Sequence, residues 1–328
     1  MSHSLEISLN TPTLQVLNCS LFDSFGVQLQ VLRLDQMHRT LGGNKWFKLR
    51  PFVKELKASE LPLAVSFGGA WSNHLRALAA AGQEFGFATL GFVRGELHEE
   101  LNPVLEFASR CGMEIRYLSR SDYRRKQDPE FLAEITGDIG PHLLIPEGGG
   151  ASAAVDSCGE IADYLNSDEP TPGKLMQGNR YVALACGTGT TMAGLIRGCA
   201  RRLSNGSLVC EGGAPPCVIG VPVLKAEGYI QNQLSELLPL PTSEDAEQDV
   251  NQFNGVSWQI LENYHCGGYA RSNAGLRRFL EDFERSCMLP LEPVYSGKLF
   301  FAIYDQLNKG MIPAGSRLIL VHTGGVHS

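Results

Sequence analysis

The chain has 328 residues, 43% of them hydrophobic and 19% charged, with a formal net charge of −7. That profile belongs to a globular chain long enough for two domains or one large one. Its acidic balance, with only short basic clusters such as RRK at 124–126 and RR at 201–202, argues against a nucleic-acid partner.

The opening MSHSLEISLN lacks a basic stretch followed by an apolar core, so no signal peptide is expected. No apolar run approaches the roughly 18–20 residues needed to span a bilayer, so no membrane partner is expected either. The nine cysteines are scattered and form no CxxC pair. In a chain of this size that predicts reduced thiols and a cytoplasmic location rather than a disulfide framework. The histidines lack zinc-ligand spacing, so no metal site is expected.

The first clear strand signal is the alternating run VQLQVLRL (27–34), which leads through DQMHRTLGGN to Lys45. Asn44 reads as an N-cap, placing Lys45 in the first turn of a helix that Pro51 should kink or end. A lysine there faces the positive end of the helix dipole, which lowers its pKa if it is also desolvated. A neutral amine is what Schiff-base formation requires. Lys48, one turn on and followed by Arg50, reads as a solvated charge.

AVSF (64–67) then runs through GGAWSN into the helical pattern NHLRALAAAGQEFG (73–86). Ser72 or Asn73 can cap that helix; an ordinary cap and a carboxylate site with Ser72 and His74 projecting towards it are both compatible with the pattern. ATLGFV (88–93), EIRYL (114–118) and HLLIP (142–146) follow, and EGGGAS (147–152) is a further glycine cluster before a helix. Two segments, 165–179 and 238–251, are rich in Pro, Ser, Asn and acidic residues and read as surface excursions.

YVALACG (181–187) runs into GTGTT and then a helix carrying Met192, Leu195 and Ile196. A strand, a Gly-rich turn and a helix N-terminus bring backbone N–H groups to one point, a phosphate site in which Thr188, Thr190 and Thr191 add hydroxyls. The turn lacks the GK[ST] of a Walker loop, and Gly187, Gly189 and Gly194 do not keep GxGxxG spacing. A tight βα turn that needs glycine only for its backbone explains the same residues. CVIGVPVL (217–224), VSWQI (256–260) and RLILVHTGG (317–325) complete the series. The alternation of short strands with helices predicts parallel α/β units. A reactive amine, a phosphate cup and a carboxylate-binding cap together suggest pyridoxal 5'-phosphate.

GGNK (42–45), SFGGAWSNH (66–74), GTGTT (187–191), PVYSGK (293–298) and HTGG (322–325) resemble, in order and spacing, the 1-aminocyclopropane-1-carboxylate deaminase/D-cysteine desulfhydrase family. These are fold-type II, tryptophan synthase β-like enzymes. The resemblance implies an α/β fold of two domains, each an open parallel twisted sheet with helices on both faces. Residues 1–52 and 151–328 would form the large domain and 53–150 the smaller inserted one, their closure gating the site. It implies Lys45 as Schiff-base lysine and proton carrier, Asn73 on the cofactor's ring hydroxyl, and Ser72, Asn73 and His74 around the substrate carboxylate. Gly187, Thr188, Gly189, Thr190 and Thr191 would hold the phosphate, and Tyr295 and Tyr269 would approach a small amino-acid substrate. It also implies a homodimer.

Two positions depart from the ring-opening deaminases, which carry Gln after Ser-Asn and Glu after Val-Tyr. Here they are His74 and Ser296. A carboxylate beside the pyridine nitrogen keeps it protonated, whereas the hydroxyls of Ser296 and Thr323 only hydrogen-bond it. Elimination of a good leaving group such as thiolate needs the weaker electron sink, so D-cysteine desulfhydration is expected ahead of ring opening. A nicotinamide-nucleotide dehydrogenase, suggested only by the loose glycine turn, is the alternative from another class, and a silent binding protein is a third.

Overall fold

Each strand signal named above forms a strand within a few residues of its expected ends. The computed structural model describes residues 8–96, 101–165, 179–208, 215–238 and 251–325, so the two excursions lie almost wholly outside it. In chain order the elements begin with β1 (Thr13–Val16), β2 (Gln28–Arg33), α1 (Asn44–Ala58), β3 (Leu63–Gly69) and α2 (Asn73–Phe85). They continue with β4 (Ala88–Arg94), α3 (Pro103–Arg110), β5 (Glu114–Leu118), α4 (Arg120–Arg124), α5 (Pro129–Thr136), β6 (His142–Ile145) and α6 (Ser152–Gly159). Then come β7 (Arg180–Cys186), α7 (Thr190–Ser204), β8 (Cys217–Pro222), α8 (Tyr229–Leu237), β9 (Gln252–Phe253) and β10 (Val256–Ile260). The last are α9 (Ala274–Ser286), α10 (Ser296–Asn308) and β11 (Arg317–His322). Among the described residues no helix is long and apolar enough to cross a membrane.

The chain divides into two compact units. The smaller includes Arg39–Leu41 and Lys45–Ala154; the larger includes Leu9–His38, Gly42–Asn44 and the described part of Val155–Ser328. In these units α1 groups with the smaller one from its second residue, Lys45.

The smaller unit is built on a four-stranded parallel sheet of order β5-β4-β3-β6. Alternate strand residues feed different clusters, as the two-residue period of a strand requires. Ala64, Val93 and Ile145 pack with Leu49, Phe52, Leu75 and Leu105 of the helices. Val65, Phe67, Leu90 and Phe92 pack on the other side with Tyr123, Leu132 and Ile135. Helices therefore cover both faces, which is why these strands read as continuous apolar runs.

The larger unit holds a seven-stranded sheet of order β1-β2-β11-β7-β8-β10-β9, parallel from β2 to β10 with an antiparallel strand at each edge. One face packs Leu29, Val31, Ala183, Ile219 and Leu320 against Phe279, Phe283, Leu299 and Ile303 of α9 and α10.

Two expectations fail here. Pro51 does not end α1, which continues as a helix from Asn44 to Ala58 with the proline inside it. Buried Leu49 before the proline and Phe52 and Leu56 after it hold both halves to one core, outweighing its missing N–H. The thiols are not all reduced, because Cys19 and Cys287 form a disulfide across 268 residues. Local spacing carries no trace of this pair; both cysteines lie in the core cluster under α9 and α10 with Phe22, Phe283 and Leu289.

Candidate active site

In the smaller unit β3 ends in Gly68-Gly69 and the chain turns into α2. Ser72 caps that helix, its Oγ accepting from Leu75 N at 3.3 Å, and Asn102 Nδ2 donates to Ala70 O at 3.0 Å to anchor the turn. Asn73 is half-buried on the first turn, and Trp71, just before the cap, is 51% exposed. His74 points inward and is buried. Ser66 Oγ donates to Ile145 O at 2.8 Å, so it accepts from His74 Nε2–H, also at 2.8 Å. That fixes the tautomer and leaves Nδ1 as an acceptor with no hydrogen-bond partner among the described residues. Burial, helped by the positive charges of Lys45 and Lys48, lowers the His74 pKa from 6.5 to about 3. The ring is therefore neutral at physiological pH.

Lys48 is not the solvated charge its neighbours suggested. It is 4% exposed, with its Cβ against Gly149, whereas Lys45 is half-buried. The first turns of α1 are enclosed nearly all round, since Trp46, Phe47 and Leu49 are buried as well. A pattern of alternating charged and apolar residues cannot distinguish that environment from a one-sided helix.

In the larger unit the GTGTT turn joins β7 to α7. Gly189 adopts φ +73° and caps the helix; Thr190 and Thr191 are buried. The first ladder bond is Ala193 N to Gly189 O at 2.9 Å, so the N–H groups of the first turn have no acceptor within the helix. Thr188 and Thr190 share a hydroxyl contact of 3.2 Å, with Gly187 ahead of them at the mouth of the turn. Asn44 opens α1 instead of preceding it, and its side-chain amide donates to Thr191 Oγ1 at 2.9 Å. Its backbone N–H donates to Thr323 O at 3.2 Å. Gly43 makes that approach possible, because at φ +78° a Cβ would stand 2.2 Å from the same oxygen. The residue before Lys45 thus binds both the GTGTT and the HTGG segments.

At the start of α10, Glu292 caps the helix. Its carboxylate accepts from Val294 N at 2.7 Å, Tyr295 N at 2.7 Å and Ser296 N at 2.6 Å. Ser296 is buried and its Oγ accepts from Glu292 N at 2.9 Å. Burial pushes the Glu292 carboxyl up, against the backbone N–H bonds that hold it down. Tyr269 and Tyr295 meet edge to face with centroids 6.2 Å apart, and the Tyr295 hydroxyl lies beside Gly187. Ser66 and Glu292 escaped the sequence reading. Glu292 lies four positions ahead of the helix, outside the usual N-cap position, and nothing in the pattern marks Ser66.

In the larger unit the N–H groups at the start of α7 suit a phosphate and Ser296 and Thr323 supply hydroxyls; in the smaller unit Lys45 supplies a half-buried amine of the kind an aldehyde takes. The sequence profile of the pyridoxal-phosphate dependent enzymes matches residues 7–324. The chain belongs to this family. Membership makes it a pyridoxal-phosphate dependent enzyme and displaces the dehydrogenase alternative. The 1-aminocyclopropane-1-carboxylate deaminase of Mesorhizobium japonicum is 27% identical over 299 residues, covering 87% of this chain and 82% of that protein. The crystal structure of an ACC deaminase homologue has a TM-score of 0.72 at 21% identity, covering 98% of this chain and 91% of that one. A hydrogen sulfide-producing enzyme from Fusobacterium nucleatum has a TM-score of 0.64 at 12% identity, covering 99% and 98%. These pyridoxal-phosphate enzymes share the fold, which is tryptophan synthase β-like.

Proposed function

We propose that this pyridoxal-phosphate enzyme eliminates the β-substituent of a small amino acid, with D-cysteine the leading substrate. D-Cysteine and water give pyruvate, ammonia and hydrogen sulfide. The observation that carries the reading is Ser296. Where ring-opening deaminases place a carboxylate, this chain has a hydroxyl already engaged with Glu292, whose own oxygens accept three backbone N–H groups. No carboxylate is left over at that position to hold a full proton on a ring nitrogen.

When bound, the cofactor supplies an aldehyde for the substrate amine and a ring that accepts electron density from the α-carbon. The chain's own groups do the rest. The N–H groups of residues 187–191 and the Thr188, Thr190 and Thr191 hydroxyls would hold the phosphate, and Asn73 would bond the ring hydroxyl. The N-terminus of α2, with Ser72, takes the substrate carboxylate. Lys45 would bind the cofactor, and its amine, once displaced by that of the substrate, would carry the α-proton. His74, neutral and fixed in one tautomer, offers a lone pair without adding charge. Tyr269 and Tyr295 border the side chain of the substrate.

The test is product analysis with D-cysteine, L-cysteine and 1-aminocyclopropane-1-carboxylate. Pyruvate with sulfide from D-cysteine is the expected outcome. The relative in Mesorhizobium favours the second reading, ring opening, and 2-oxobutanoate from the cyclic substrate as main product would select it. The working unit in this reading is a homodimer, checked by sedimentation.

A further inference from the structure

Lys298 stands two residues after Ser296 on α10 and is completely buried. Its ammonium donates to Gly268 O at 2.8 Å and to Val223 O at 3.3 Å, and among the described residues it forms no salt bridge. Burial lowers its pKa, with Cys266 and Glu292 pulling the other way. A desolvated ammonium held by carbonyls alone is a poor stabiliser of a fold. What its bonds fix is therefore the informative part.

Gly268 precedes Tyr269 in an unusual stretch of backbone. Cys266, Gly267, Gly268 and Ala270 all have positive φ, at 54°, 98°, 119° and 54°. Two of the four are not glycine, and such a conformation persists only where neighbours over-determine it. The Gly268 carbonyl is a point of that restraint, accepting from Arg271 N at 3.1 Å as well as from Lys298. The second tether reaches Val223, whose N–H donates to Cys186 O at 2.9 Å, one residue before the GTGTT turn. One ammonium thus ties the Tyr269 loop to α10, which carries Tyr295, and to the strand end beside the phosphate turn.

We propose that Lys298 is a positioning residue: by fixing the Gly268 carbonyl it holds Tyr269 against Tyr295 in working geometry. The proposal rests on the reading of these tyrosines given above. Lys298→Met keeps the length of the side chain and removes its charge, so the variant should fold. In the holoenzyme, hydrogen exchange of a peptide covering 265–272 should rise by about tenfold or more, with peptides of the smaller unit unchanged. The kcat should fall roughly 10- to 100-fold, more than KM changes, because the error is one of placement. In the Tyr269→Phe background the same substitution should cost much less, since the two act through one contact.

Unchanged exchange at 265–272 overturns the tether. An equal loss of kcat in both backgrounds overturns the role of Tyr269. Should Lys298→Met fail to fold, Lys298→Gln keeps an amide donor and should give the same pattern at smaller amplitude; no local exchange difference there also rejects the tether. A wild-type enzyme that turns over none of the amino acids tested counts against the reaction, and the exchange result still decides whether Lys298 holds the loop.

Discussion

Lys45 and Lys48 are a single helical turn apart, yet only Lys45 is open enough to meet another molecule. Lys45→Ala should abolish both turnover and the borohydride-reducible absorbance band of the purified protein; a band that survives would reassign the amine. His74 makes a prediction with a definite sign. Between about pH 3 and 6.5 the unfolded chain binds a proton at this residue and the folded chain does not. Stability should therefore rise with pH across that window, by at most about 1.4 kcal/mol per pH unit from this group. Denaturant titrations from pH 4.5 to 7 should show a shallower slope for His74→Gln than for wild type. Much of this scale was readable in advance: Lys45, Ser72, Asn73 and the threonines stand where helix-cap logic places them. The burial of Lys48 and the tautomer set by Ser66 were not, because both depend on Gly149 and Ile145, brought in from a distant β-strand end.

Among the elements, the central strands were legible because their residues are almost all buried and the apolar runs are long. β1 and β9 were missed because edge strands are short and exposed and carry little pattern. Continuity of α1 through Pro51 was illegible for a different reason, since tertiary packing overrides local propensity there. The joint between β11 and the start of α1 can be tested directly. Gly43→Ala places a methyl against the Thr323 carbonyl at a left-handed backbone position. A loss on the order of 3 kcal/mol is expected, read as a lower melting temperature. Weaker cofactor affinity should accompany it, because Asn44 loses its registry with Thr191. A second close approach lies where α7 crosses the end of α6, as a Cβ at Gly198 would meet Gly159 O at 2.1 Å. Gly198→Leu should likewise destabilise α7 and the turn that begins it.

At the scale of the whole chain, the Cys19–Cys287 bond fastens the segment after β1 to the end of α9, two parts of the larger unit that are remote in sequence. Alkylation after unfolding without reductant should add two fewer labels than after reduction, and Cys19→Ala should lower stability by about 2–4 kcal/mol. Equal labelling in the two conditions would show that the bond is absent in solution. The three tryptophans are distributed unevenly. Trp46 is buried and stacked on Phe85, and Trp258 is buried with its indole N–H on Gln231, whereas Trp71 is half open to water beside the Ser72 cap. The intrinsic emission should therefore separate into a blue component from the enclosed indoles and a red one from Trp71 alone. An amino acid arriving at that cap would be visible in the red component without any product being formed, and Trp71→Phe would remove the signal.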